Sequence, residues 1–301
     1  MSELFPQIQK LHEKPKNSAE TFKHLDRLLN KVAKDIAKEI EEKYGIKELL
    51  NGDCTIRMEA YETLSTEIYA EDLEFVNERE REWSGIDNEN VKKHKRLEYG
   101  LGQDASDEDF MREFLLAKAK EKSHQLEMAM TILLHKAFGK RYIVVRSSKY
   151  DDYKGGVDNI LVDKETGAVI CGFDEVRNNP KSHRKTEKEG KVLERARAGG
   201  AELIYGLSIT EGKMKLKSMS NLPLFFLSLD EGEYEELVGS IQYGERRYAE
   251  PNQIEKKYIG RILNSIAEQQ KQLLDDTDVQ KHTEIVNNLH KVDELLRMRI
   301  D

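Results

Sequence analysis

The hydrophobic pattern of this chain changes period twice, and that change restricts the folds open to it. Residues 18 to 44 repeat apolar side chains at helical spacing, through Phe22, Leu25, Leu28, Leu29, Val32, Ile36 and Ile40. Ser18 and Thr21 stand near the expected start of this helix, and Gly45 is a natural stop. A less regular helical stretch is expected from Thr55 to Trp83. The polar, glycine-punctuated segment Ser84 to Asp109 reads as a linker, and one long helix is expected from Asp104 or Ser106 to Phe138, ended by Gly139. Beyond Gly139 the pattern becomes β-branched, as RYIVVRSS, NILV and AVICGF, and after Asp230 it returns to helix.

That order predicts an α/β (α+β) fold, a central mixed β-sheet with flanking helices and helical additions at both ends. The expected divisions are an N-terminal helical region (1–103), an α/β core (104–230) and C-terminal helices (231–301) that pack on the core or form a dimer seam. Within the core, AELIYGLSI, KMKLKS and LPLFFLSL read as further strands, with Pro223 confining the last to an edge or a strand start. Segments of about 251–274 and 277–299 are expected to form an antiparallel helical pair. Charged residues make up 35% and mean hydropathy is -0.72, which suits long solvated helices. Cys54 and Cys171 lie far apart with no ligand spacing around them, so neither a disulfide framework nor a structural zinc site is expected. With no signal-like segment and no apolar run long enough to span a bilayer, a cytoplasmic protein without membrane contact is expected.

The segment Lys154 to Arg177, KGGVDNILVDKETGAVICGFDEVR, carries the chemistry. DKETG supplies turn residues, so NILV and AVICGF are expected to be antiparallel neighbours, with Asp158 and Glu175 at one end of the hairpin. Two such acids suit a hard divalent cation. Period-2 alternation puts Glu175, Arg177, Phe173 and Cys171 on one strand face, and Asp174 on the other, turned to solvent or a backbone donor. The preceding KYDDYKGG reads as an acidic loop. The net charge of -8 argues against a nucleic-acid partner, but residues 140 to 200 hold 14 Lys/Arg against 10 Asp/Glu, a surplus of 4 that leaves -12 elsewhere. From Arg177 to Arg197 the excess is eight against three. It reads equally as a solvated helix face with pairs such as Glu187 to Lys191, or as a phosphate-contacting surface.

GVDNILVD and FDEVR, in the order helix, strand, hairpin, basic helix, strand, resemble the motif of the PD-(D/E)xK nuclease superfamily over about residues 115–210. The resemblance aligns Asp158 with the motif aspartate, Glu175 with the motif acid and Arg177 with the lysine. It implies a restriction-endonuclease-like sheet and a third acid from the preceding helix, Glu127. Glu127, Asp158 and Glu175 would then bind Mg²⁺ or Mn²⁺, and the implied catalytic set is Asp158, Glu175, Arg177, Lys188 and Lys191. Lys181, Arg184, Lys185 and Lys188 would contact nucleic acid, DNA in preference to RNA. Arg177 departs from the motif, because a guanidinium stays protonated and is a poor base. Either Lys188 or Lys191 takes the lysine's place, or the site binds nucleic acid without cutting it. A helical scaffold that dimerises through its terminal helices is the third reading.

Overall fold

The computed structural model describes residues 17–61, 66–102, 104–178, 184–210, 213–241 and 250–298. The first helix, α1 (Ser18–Tyr44), buries the expected stripe from Leu25 to Ile40. Its N-cap is Asn17, one residue before the expected start, whose side chain accepts the Glu20 amide proton. Gly45 ends it at φ 75°, a left-handed position that glycine takes without a Cβ clash. Of the expected helix from Thr55, only α2 (Thr66–Ser84) and a short 3₁₀ turn at Met58–Tyr61 form, because Thr55 and Ile56 instead make β-bridges to Arg146 and Leu50.

The expected linker contains a helix, α3 (Glu89–Glu98), capped by Asn88. None of its residues is buried, so the apolar periodicity that marks a packed helix is missing from its sequence. The long helix expected up to Phe138 is two, α4 (Asp107–Ala119) and α5 (Lys122–Phe138). No glycine or proline divides them. The break lies where the Lys120 carbonyl accepts hydrogen bonds from Ser18 Oγ (3.0 Å) and Gln125 Nε2 (2.8 Å), a tertiary contact with α1.

The central sheet has the order β1 (Tyr142–Arg146), β2 (Asn159–Asp163), β3 (Val169–Arg177) and then a later strand, Leu224–Leu229. β1, β2 and β3 form an antiparallel meander, and Leu224–Leu229 runs parallel to β3. The β2–β3 turn is organised by Asp163, whose Oδ1 accepts from the Glu165 and Thr166 amides at 2.9 and 2.7 Å. Gly167 follows at φ 70°, where a Cβ would lie 1.9 Å from the Ile209 carbonyl oxygen. The acidic segment before the hairpin is a short helix, α6 (Lys149–Gly155), capped by Ser148. The basic helix α7 (Arg184–Arg197) links β3 to the second half of the core and closes at Gly199 and Gly200.

AELIYGLSI is not a single strand of the main sheet. It splits into β4 (Ala201–Leu203), paired with β7 (Met219–Leu222), and β5 (Leu207–Thr210), paired with β6 (Lys213–Leu216). The fourth strand of the central sheet is therefore β8 (Leu224–Leu229), at the edge and immediately after Pro223. Its near-continuous burial is what a parallel strand covered on both faces requires.

Helices α8 (Glu231–Ser240), α9 (Gln253–Asp275) and α10 (Thr283–Leu296) follow, and α9 meets α10 where Gln270 Nε2 donates to the Leu289 carbonyl at 2.7 Å. The stripes expected as core or dimer seams are buried within the chain, with Ile262, Ile266, Ile285, Leu289 and Leu295 at most 5% exposed. A single hydrophobic core thus runs from Leu25 to Leu295. Among the described residues, no helix is long and apolar enough to cross a membrane.

Candidate active site

The hairpin, α5, α6 and α7 converge on a cleft of about 710 Å³ that α2 and α4 also line. Glu127, Asp158, Glu175, Arg177 and Lys188 all line it. The Asp158 carboxylate is buried and its Oδ2 accepts the Glu175 backbone N–H at 2.6 Å, so the paired strands bring the two acids together. The Glu175 side chain is aimed by a relay: Thr131 of α5 donates to Asn159 Oδ1 (2.9 Å), and Asn159 Nδ2 donates to Glu175 Oε1 (3.0 Å). Among the described residues no donor reaches the buried Glu175 Oε2.

This crowding displaces the acidities. Burial first, and then the Asp158 charge, push the Glu175 carboxyl well above its usual range. Burial and the Glu127 charge raise Asp158. Glu127 goes the other way: burial raises it, but a hydrogen bond with His124 and the Arg146 charge more than offset that and leave it lowered. The Arg146 guanidinium donates to Glu127 Oε2 at 2.8 Å, with His124 Nδ1 3.4 Å from the same oxygen. Glu127 faces the cleft as an ion-paired carboxylate, whereas no cation among the described residues makes an ion pair with Asp158 or Glu175.

The two lysine candidates separate. Lys188 enters the cleft, makes an ion pair with Asp174 and donates to the Glu175 carbonyl at 3.2 Å. Lys191, one turn on, is exposed and outside the cleft lining. Asp174 is buried on Lys188, not turned to solvent, and its carboxyl is pushed up to about 6 by burial and by Asp158. Burial lowers the Lys188 amine, but Asp158 and Asp174 outweigh it, so its proton is held more tightly than usual. Arg177 stands at the rim with its guanidinium 2.5 Å from Glu231 Oε2 on α8. Lys181 lies outside the described residues, and Arg184 and Lys185 occupy the first turn of α7.

Two cleft residues escaped the sequence. Asp152, expected as loop solvation, projects from α6 into the cleft, and burial followed by the Asp158 and Glu127 charges pushes it well above the ordinary carboxylate range. Its neighbour Asp151 is structural, accepting the Ile204 and Tyr205 amides at 2.7 and 3.0 Å. Trp83, the last aromatic of α2, also lines the cleft. The helical run of KYDDYKGG after a Ser cap was the available signal for Asp152; nothing local in the sequence marks Trp83.

Among the described residues, no group of three or more His, Cys, Asp or Glu side chains is spaced to hold a metal ion. Asp158 and Glu175 still fit a smaller requirement. Mg²⁺ keeps several waters and is held by one or two carboxylates together with substrate phosphate oxygens, and the unbonded Glu175 Oε2 beside Asp158 offers that donor set. No family model matches the chain, and no curated protein or solved structure matches it.

Proposed function

We propose that this cleft hydrolyses phosphodiester bonds of a nucleic acid, DNA in preference to RNA, with Mg²⁺ or Mn²⁺ held by Asp158 and Glu175. The observation that carries the reading is the arrival of Lys188 from α7 beside those two acids, while Arg177 is engaged by Glu231. A helix, a three-stranded antiparallel meander, a second helix and a parallel fourth strand form the frame around it. That order supports the likeness to the PD-(D/E)xK nucleases, with the lysine's role moved from strand to helix.

A divalent ion bound there would lower the pKa of a coordinated water and neutralise charge on the phosphoryl oxygens. The protein's own groups divide the rest of the work. Lys188 stays cationic under the Asp158 and Asp174 charges, so it stabilises negative charge growing on the phosphate and does not act as a base. Proton acceptance falls to Asp152, whose carboxyl burial and the Asp158 and Glu127 charges push well above the ordinary carboxylate range. Asn159 and Thr131 hold Glu175 in orientation, and Glu127 keeps Arg146 at the cleft wall.

Plasmid nicking in Mg²⁺ and in Mn²⁺ tests the proposal. Wild type should nick and Asp158→Ala should not; equal activity in the two proteins would sink it. A second reading, binding without cleavage, is favoured by the ion pairing of Glu127 and by the absence of a three-ligand group among the described residues. It predicts salt-sensitive retention of DNA on a filter with no nicking in either metal.

A further inference from the structure

The cleft carries an aromatic group that the hydrolytic reading does not use. Trp83 is 43% exposed although it lines the cleft. Its ring meets Tyr153 edge to face, with centroids 4.6 Å apart and planes at 73°. Tyr153 is itself fixed, because its hydroxyl donates to Glu80 Oε1 at 2.8 Å and Lys149 Nζ lies 2.8 Å from the same oxygen. Lys118 Nζ lies 4.0 Å from the Trp83 ring centroid and 4.9 Å from that of Tyr153. Lys118 thus sits over the indole ring, which stays partly open in the same cleft as Asp158, Glu175 and Lys188.

A partly exposed aromatic ring with a cation on it suits single-stranded nucleic acid, whose bases stack on aromatic side chains and whose backbone meets positive charge. Cleft size points the same way. A volume of about 710 Å³ falls within the roughly 300–1,000 Å³ of pockets that enclose one small ligand, and a base inside a duplex reaches such a pocket only by leaving its stack.

We propose that the cleft takes a single-stranded stretch of polynucleotide, with one unpaired base stacked on Trp83 and the adjoining phosphate directed to Asp158, Glu175 and Lys188. This inference rests on the phosphodiester reading of the cleft and adds the strandedness of its substrate.

Trp83 is the only tryptophan in the sequence, so intrinsic indole emission reports on this position alone. The full chain is titrated in Ca²⁺, an oxygen-seeking ion of looser coordination geometry than Mg²⁺, with oligo(dT), oligo(U) and a blunt duplex of equal length. Saturable quenching by a single strand and none by the duplex is expected, and the oligo(dT) and oligo(U) arms separate DNA from RNA. Trp83→Ala should weaken retention of a labelled single strand about ten- to a hundred-fold, the loss of one stacked base, without changing duplex retention. Trp83→Phe, which keeps a π face and guards against a folding defect, should retain most of the affinity. Equal quenching by duplex, no quenching by either strand type, or unchanged affinity in Trp83→Ala overturns the inference. Duplex nicking in Mg²⁺ without quenching would overturn it and leave the hydrolytic reading intact. Quenching by single strands with no cleavage of any substrate would uphold single-strand binding at Trp83 and remove the hydrolytic reading.

Discussion

Two buried charge clusters touch the same helix, α5, and they are built in opposite ways. Near its C-terminal end Lys136 is paired with Glu255 of α9 at 2.6 Å, both side chains at most 2% exposed. Glu255 also accepts the Asn252 amide at 2.6 Å as part of a capping box, so the pair is satisfied from several sides. Nearer the other end, Glu127 faces a cleft in which Asp158 and Glu175 are also buried, and among the described residues Glu175 Oε2 has no partner. Leaving a buried charge unpaired costs stability, and such a cost persists where function uses the group. The first cluster fastens the C-terminal helices to the core; the second leaves Glu175 Oε2 without a partner among the described residues.

That contrast is open to attack at both ends. The largest effect is expected at the satisfied cluster: Lys136→Ala removes the buried cation from Glu255 and should cost about 3–5 kcal/mol in urea melts, while Lys136→Met with Glu255→Gln should recover much of it. A loss no larger than that of a surface substitution would show that α9 does not depend on the pair. Next, Lys188→Ala should lower nicking about 10²–10³-fold with little change in melting temperature, and an equally large fall in Lys191→Ala would reverse the assignment of the lysine.

Smaller effects separate the two clusters by ligand and by pH. Mn²⁺ at 100 times its dissociation constant should stabilise wild type by about 2.7 kcal/mol and leave Asp158→Asn unmoved, as thermal melts would show. Glu175 has a folded-state pKa raised above its unfolded value, so its contribution is fully present at low pH and is lost as pH rises above the ordinary glutamate range. Metal-free wild type should therefore lose stability from about pH 4.5 upward relative to Glu175→Gln; parallel pH profiles would contradict the buried, unpaired carboxylate. The smallest effect is expected for Lys191→Ala, within about 0.5 kcal/mol in stability.

Much of the site was legible before any fold was known, for local reasons. Asp158 and Glu175 meet because a turn-forming DKETG joins two β-branched runs, and antiparallel pairing then fixes which ends coincide. The same pairing explains why Asn159, never singled out in the sequence, became the residue that aims Glu175: it faces Phe173 across the ladder, and its amide is useful only beside Thr131 of α5. Asp174 was misjudged because strand alternation gives the face and not the partner, which arrives from α7. The break at Lys120 and the polar helix α3 were missed because one depends on a contact with Ser18, 102 residues away, and the other buries nothing.

By itself the sequence determined the helical ends, the β-rich middle and the acid-bearing hairpin, since hydrophobic period, glycine stops and turn residues act over a few neighbours. Tertiary structure decided that Leu224–Leu229 completes the sheet, that Lys188 and not Lys191 reaches Asp158 and Glu175, that Arg177 pairs with Glu231, and that Trp83 lines the same cleft. Each of these depends on where distant segments pack, and packing distributes its energy over the whole core from Leu25 to Leu295 rather than over any local run.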